Sequence, residues 1–142
     1  MSTFWKNWLT LWCLGAGMFG LILYGAGFAS TTAPTAMIFD LFGNPLPDQP
    51  DRYLRFAISL MGAVTLGWMI TFYTLCRAAW SLDDAAARPL WRGAALSLGV
   101  WYVIDSYASI ATGFPLNAVS NTVLAGAILW PIVATGKLRG AA

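Results

Sequence analysis

Histidine and glutamate are both missing from these 142 residues, and cysteine occurs only twice, at Cys13 and Cys76. Without histidine the chain lacks the commonest metal ligand, the usual general base and the usual axial ligand of a haem. The two thiols form no C-x-x-C spacing, which argues against thiol–disulfide catalysis, and they read as small apolar helix residues. Charge is scarce too. Only 10% of residues are charged, against about 25% in a soluble domain. No phosphate-cradling loop is present, because the glycines of the first apolar run lie inside a helical stretch and follow no strand. A net charge of +2, with the basic residues flanking apolar runs, excludes nucleic acid as a partner.

Apolar length fills the space that charge leaves. Hydrophobic residues make up 58% of the chain, with a mean hydropathy of +0.65, a membrane composition. Four apolar runs cover about 8–28, 53–76, 93–112 and 117–135, each long enough to cross a core of about 30 Å. The first is too long for a signal-peptide core of about 7–15 residues, so the faint Gly27-Phe28-Ala29 cleavage pattern is set aside. The expected fold class is an all-α membrane protein, a single domain over 1–142 with four transmembrane helices in an antiparallel bundle. Ala16 with Gly20, and Ala63 with Gly67, have the small-xxx-small spacing that lets helices approach closely.

The loop from Ser30 to Arg52 holds four prolines. Within it Thr35–Phe42 is expected to form two helical turns closed by Gly43, with Met37, Ile38, Leu41 and Phe42 on one face. That is the pattern of a short interfacial helix in the first outer loop. The stretch Trp80–Arg92 reads as a connection, with Ser81 and Asp84 in a capping arrangement and Pro89 favouring the start of the third span. Pro131 marks a kink or the fraying end of the fourth.

Lys6, Arg77, Arg88, Arg92, Lys137 and Arg139 fall on one side of this arrangement, and only Arg52 and Arg55 on the other. That bias places both termini of this multi-pass chain in the cytoplasm. Trp5, Trp8, Trp80 and Trp91 gather at the same boundary as interfacial anchors, where the two thiols are expected to stay reduced.

One acid breaks the apolar pattern. Asp105 lies in the third span, and an aspartate at the bilayer centre costs about 2.5–3.5 kcal/mol. Seven residues before Thr112, it sits about 10 Å below that helix end. The topology brings Arg55, Asp105, Asn117 and Asn121 to the outer half of the bundle. Each helix repeats its polar mark one turn on: Arg55 with Ser59, Asp105 with Ser109, Asn117 with Asn121. Tyr102 lies on the stripe of Asp105. Two readings stay open: a structural Arg55–Asp105 ion pair propped by asparagines, or a polar pocket that binds a ligand or moves protons.

Catalysis finds no support. Asp105 is the only carboxylate inside a span, so paired-acid mechanisms lack a second member, and Ser106 and Ser109 have no base to activate them. No catalytic residue, metal ligand or cofactor is assigned. Small multidrug transporters carry their membrane acid in the first helix, which here has none.

Ala33-Pro34, Phe39-Asp-Leu-Phe-Gly43, Tyr53-Leu-Arg-Phe56, and Asp105 followed by Gly113-x-Pro115-x-Asn117 give a pattern that resembles the DoxX-like small four-helix bacterial membrane proteins. The resemblance spans most of the chain and implies an accessory membrane subunit of a bacterial inner membrane. The expected partner is another membrane protein or a second copy of this chain. The expectation is a non-catalytic accessory or ligand-holding subunit in the lipid bilayer. The alternative is a small proton-coupled carrier, acting as a dimer, with Asp105 as its titrating acid.

Overall fold

The computed structural model describes residues 1–139. They form α1 (Thr3–Gly25), a 3-10 turn (Ala29–Thr31), α2 (Ala33–Leu41), α3 (Arg52–Ser81), α4 (Asp84–Ala111) and α5 (Pro115–Ala134), with no strand among the described residues. Four of the helices are long and apolar enough to cross a membrane. Only 17–28% of each apolar stretch is buried, so most of the apolar surface of these helices faces outward. Val103, Ile104, Tyr107 and Ile110 on α4 are all well exposed. In water such a surface would aggregate; in lipid it is the solvated face.

The contacts group into two compact units, Cys13–Thr71 and the pairing of Met1–Trp12 with the chain from Phe72 onward. In the 13–71 unit, α1 meets α3 backbone to backbone. A Cβ at Gly20 would stand 2.8 Å from the Gly62 carbonyl oxygen and 2.9 Å from the Leu66 nitrogen. One at Gly62 would fall on the backbones of Tyr24 and Gly20. Lipid offers no hydrophobic drive between helices, so this close approach supplies dispersion contacts in its place. Gly20 is the small residue expected there, but its partner is Gly62. Around Gly67 there is open space, so the Ala63–Gly67 spacing is not the seam.

The α2 helix starts with Pro34 in its first turn, where the missing N–H costs nothing. It ends when Asn44 N–H reaches the Phe39 carbonyl and Gly43 N–H the Asp40 carbonyl, with Gly43 at φ +72°, a Schellman cap. Thr35, fully buried, donates to the Ile22 carbonyl at 2.9 Å. Phe39 and Leu46 pack with Leu54 against Leu23, Ala26 and Ile58. Met37 and Leu41, one turn apart, stay exposed.

In the other unit the expected connection is nearly all helix. α3 continues to Ser81 and α4 begins at Asp84, leaving Leu82 and Asp83 as the link. The cap is Asp83, whose carboxylate accepts from Ala85 and Ala86 N–H at 2.9 Å each. Ser81 instead donates back to the Ala78 carbonyl. Pro89 therefore lies inside α4. The helix forms through it because Ala87, Trp91, Ala94 and Leu98 recur at three- and four-residue spacing and are all buried. At its far end α4 closes on Gly113 (φ +86°), with Phe114 N–H on the Ser109 carbonyl at 2.7 Å. Pro115 then opens α5.

Candidate functional site

That turn places the site. A second Schellman cap at Gly113 reverses the chain within three residues, so the last turns of α4 and the first turns of α5 lie side by side. A side chain at this glycine would cost about 1–2 kcal/mol in left-handed conformation. Polar side chains then meet in an inverted order. Tyr102 meets Thr122, Asp105 and Ser106 meet Asn121, and Ser109 meets Asn117.

At the centre, Asp105 Oδ2 accepts from Asn121 Nδ2 at 2.5 Å and from Asn117 Nδ2 at 3.2 Å. Each carboxamide uses a second N–H on a serine hydroxyl. Asn117 donates to Ser109 Oγ at 2.8 Å, and Asn121 to Ser106 Oγ at 3.4 Å. Ser109 closes the loop by donating to the Asp105 backbone carbonyl at 2.7 Å. Asn121, Ser106 and Ser109 are buried, while Asp105 and Asn117 are half-buried. A carboxylate only accepts, so both amide groups must present nitrogen to it, and charge-assisted bonds of this kind are the stronger ones. The carboxylate plane is therefore held from one edge. Oδ1 accepts from no donor among the described residues of this unit, and no lysine or arginine of the unit pairs with Asp105.

The remaining predicted residues have other employment. Tyr102 hydroxyl lies 3.1 Å from Thr122 Oγ1, on the stripe of Asp105 but bonded past it. Arg55 belongs to the 13–71 unit, where its guanidinium donates to the Pro50 carbonyl at 3.0 Å, Thr32 Oγ1 at 2.9 Å and the Ala26 carbonyl at 3.3 Å. It thus ties the end of α1 and the proline-rich loop to the start of α3. Asp51 caps that same helix start, accepting from Tyr53 and Leu54 N–H. Ser59 donates to the Tyr24 carbonyl at 3.1 Å, part of the α1–α3 approach. The structure therefore gathers Asp105, Ser109, Asn117 and Asn121 in one network and gives Arg55 and Ser59 partners in the other unit. Ser106 and Thr122 join the network without having been singled out for it. Their signal was spacing, since Ser106 falls four residues after Tyr102 and three before Ser109, and Thr122 adjoins Asn121.

Chemically the network can hold and orient a carboxylate through one of its two oxygens. Among the described residues no three His, Cys, Asp or Glu side chains lie close enough to hold a metal ion. Fold and site together define an all-α protein with four candidate membrane spans, the third of which carries a hydrogen-bonded acid. The chain matches no family model, no curated protein and no solved structure.

Proposed function

We propose that this protein is a non-catalytic integral membrane subunit that holds a ligand or a partner's polar group at Asp105. In this reading the four spans form an antiparallel bundle with both termini in the cytoplasm of a bacterial cell. α2 then lies in the outer interface, with exposed Met37 and Leu41 toward lipid. The accessory role is the one that the DoxX-like pattern implies.

The observation that carries the proposal is the one-sided grip on Asp105. Two carboxamides grip one carboxylate oxygen, and within this unit the second accepts from no described donor. A preset acceptor edge suits a ligand that donates a hydrogen bond, a hydroxyl or an ammonium group. Catalysis would need a second acid or a base within reach, and the network supplies only amides and hydroxyls.

Purification in a gentle detergent, followed by mild crosslinking, tests this. The native protein is expected in an assembly larger than one chain, with copurifying protein or lipid. Asp105→Asn should keep the helical content and lose the copurifying species. A protein found solely as a bare monomer sinks the subunit reading. The proton-coupled carrier remains the competing reading, and pH-driven uptake into proteoliposomes, abolished by Asp105→Asn, would establish it instead.

A further inference from the structure

Asp105 is held by groups that do not cancel its charge. It is the one charged residue between Gly93 and Gly136. The ion pair of its unit joins Lys137 to Asp84 instead. In the 13–71 unit, Arg55 is bonded to two carbonyls and a hydroxyl. Within its own unit the side chain of Asp105 meets neutral amides. Hydrogen bonds from neutral groups spread a charge but leave its sign in place. An acid in an apolar span is normally accompanied by an opposite charge or put to use.

The network is arranged for that charge. The one hydroxyl proton of Ser109 goes to the Asp105 backbone carbonyl at 2.7 Å, so toward Asn117, 2.8 Å away, Ser109 Oγ accepts. Asn117 must therefore present its amide nitrogen, and the same nitrogen stands 3.2 Å from Asp105 Oδ2. Asn121, which is buried, brings a second N–H to that oxygen at 2.5 Å. Donors converge on the acid, the arrangement that suits a carboxylate. It does not suit a metal ion, because hard metal ions take about six or more oxygens and both amides turn nitrogen inward.

An organic cation fits better. Trp101 and Tyr102 lie four and three residues before Asp105, on its face of α4, and both are half-buried. Helical side chains lean toward the helix N-terminus, so Asp105 leans over the turn that carries these two aromatics. An aromatic ring attracts an ammonium group within about 6 Å of its centre. Val103, Ile104 and Tyr107 on the same turns are exposed, an apolar surrounding for the body of such a ligand. We propose that Asp105 takes an ammonium group carried on an apolar body, an amphiphilic amine rather than a neutral hydroxyl compound. The inference rests on the reading of Asp105 as a ligand-holding site and narrows it to one charge class.

Full-length protein in phosphatidylcholine nanodiscs, titrated at neutral pH with octylamine and with octanol and read by calorimetry, tests the proposal. The two ligands share a tail, and octylamine is a cation at that pH, since an alkyl amine like that of lysine titrates at about pH 10. Octylamine should bind about tenfold tighter than octanol, the gap between charge-assisted and neutral hydrogen bonding. Asp105→Asn keeps the shape, removes the charge and should abolish that preference. Asp40→Asn removes the same charge from an exposed residue of α2 and should change it less than about twofold. Should Asp105→Asn fold poorly, the preference of the wild-type protein over empty nanodiscs decides alone, and a preference no larger than theirs overturns the proposal. Equal binding of octylamine and octanol, or equal losses in the two variants, would overturn it too. If both ligands bind equally and both are lost in Asp105→Asn, the charge class fails while the ligand-holding reading stands. A copurifying species that Asp105→Asn retains sinks that reading instead.

Discussion

Asp105 shows how one residue's cost is met locally. The acid sits about 9 Å from the end of α4, counting six residues to Ala111 at 1.5 Å each, and its hydrogen bonds come from the next helix, 12 and 16 residues away. A hydrogen bond to a charged group is worth about 1.5–3 kcal/mol when buried, and half-exposure of Asp105 reduces that. A double-mutant cycle between Asp105→Leu and Asn121→Leu is therefore expected to give a coupling of about 1 kcal/mol, read from unfolding in detergent micelles. Strict additivity of the two changes would mean that the side chains do not bond. The sequence made this cluster legible because an acid and two asparagines stand out in apolar runs, and because i, i+4 spacing fixes a face. Arg55 was less legible. Two of its three acceptors are backbone carbonyls, at Pro50 and Ala26, and every residue carries a carbonyl, so nothing in the pattern marks them.

Between elements, the decisive contact is α1 on α3. An added methyl at Gly62 meets backbone on the facing helix, which cannot swing aside as a side chain can. Gly62→Ala should destabilise by about 1–3 kcal/mol, the usual range for overpacking. Gly67→Ala meets nothing within 4 Å and should instead gain up to about 1 kcal/mol from better helix propensity. Thermal unfolding of the two variants in one detergent checks the pair. Equal shifts would place the seam elsewhere. Spacing alone favoured Gly67, since Ala63–Gly67 and Ala16–Gly20 share one motif. Which small residue faces the neighbouring helix depends on the rotation of α3 about its axis, and an apolar helix in lipid carries no polar face to announce that rotation.

At the scale of the whole molecule the testable property is sidedness. Six basic residues against two, divided by the four spans, predict a cytoplasmic reporter when it is fused to the C-terminus and an external one when it is inserted at Gln49. Activity in the opposite pattern would reverse the proposed orientation and place the α4–α5 turn on the cytoplasmic side.

What the sequence by itself determined is where the apolar helices run and where the chain turns between α4 and α5. Apolar run length set four helices able to cross a membrane. Gly113 and Pro115 set the turn between α4 and α5, and that turn, with helical spacing, brought Asp105 to Asn117 and Asn121. The tertiary structure alone decided the remainder. It chose Gly62 over Gly67, gave Arg55 its carbonyl partners and docked Thr35 on Ile22. It carried α3 and α4 through the stretch that Pro89 and the charges marked as a connection, because buried Ala79, Ala87 and Trp91 hold it helical. It also left the Trp80 N–H without a partner. These outcomes depend on how helices rotate and pack against distant segments. In a chain with apolar residues on nearly every face, the hydrophobic pattern fixes where helices run but not which way they turn.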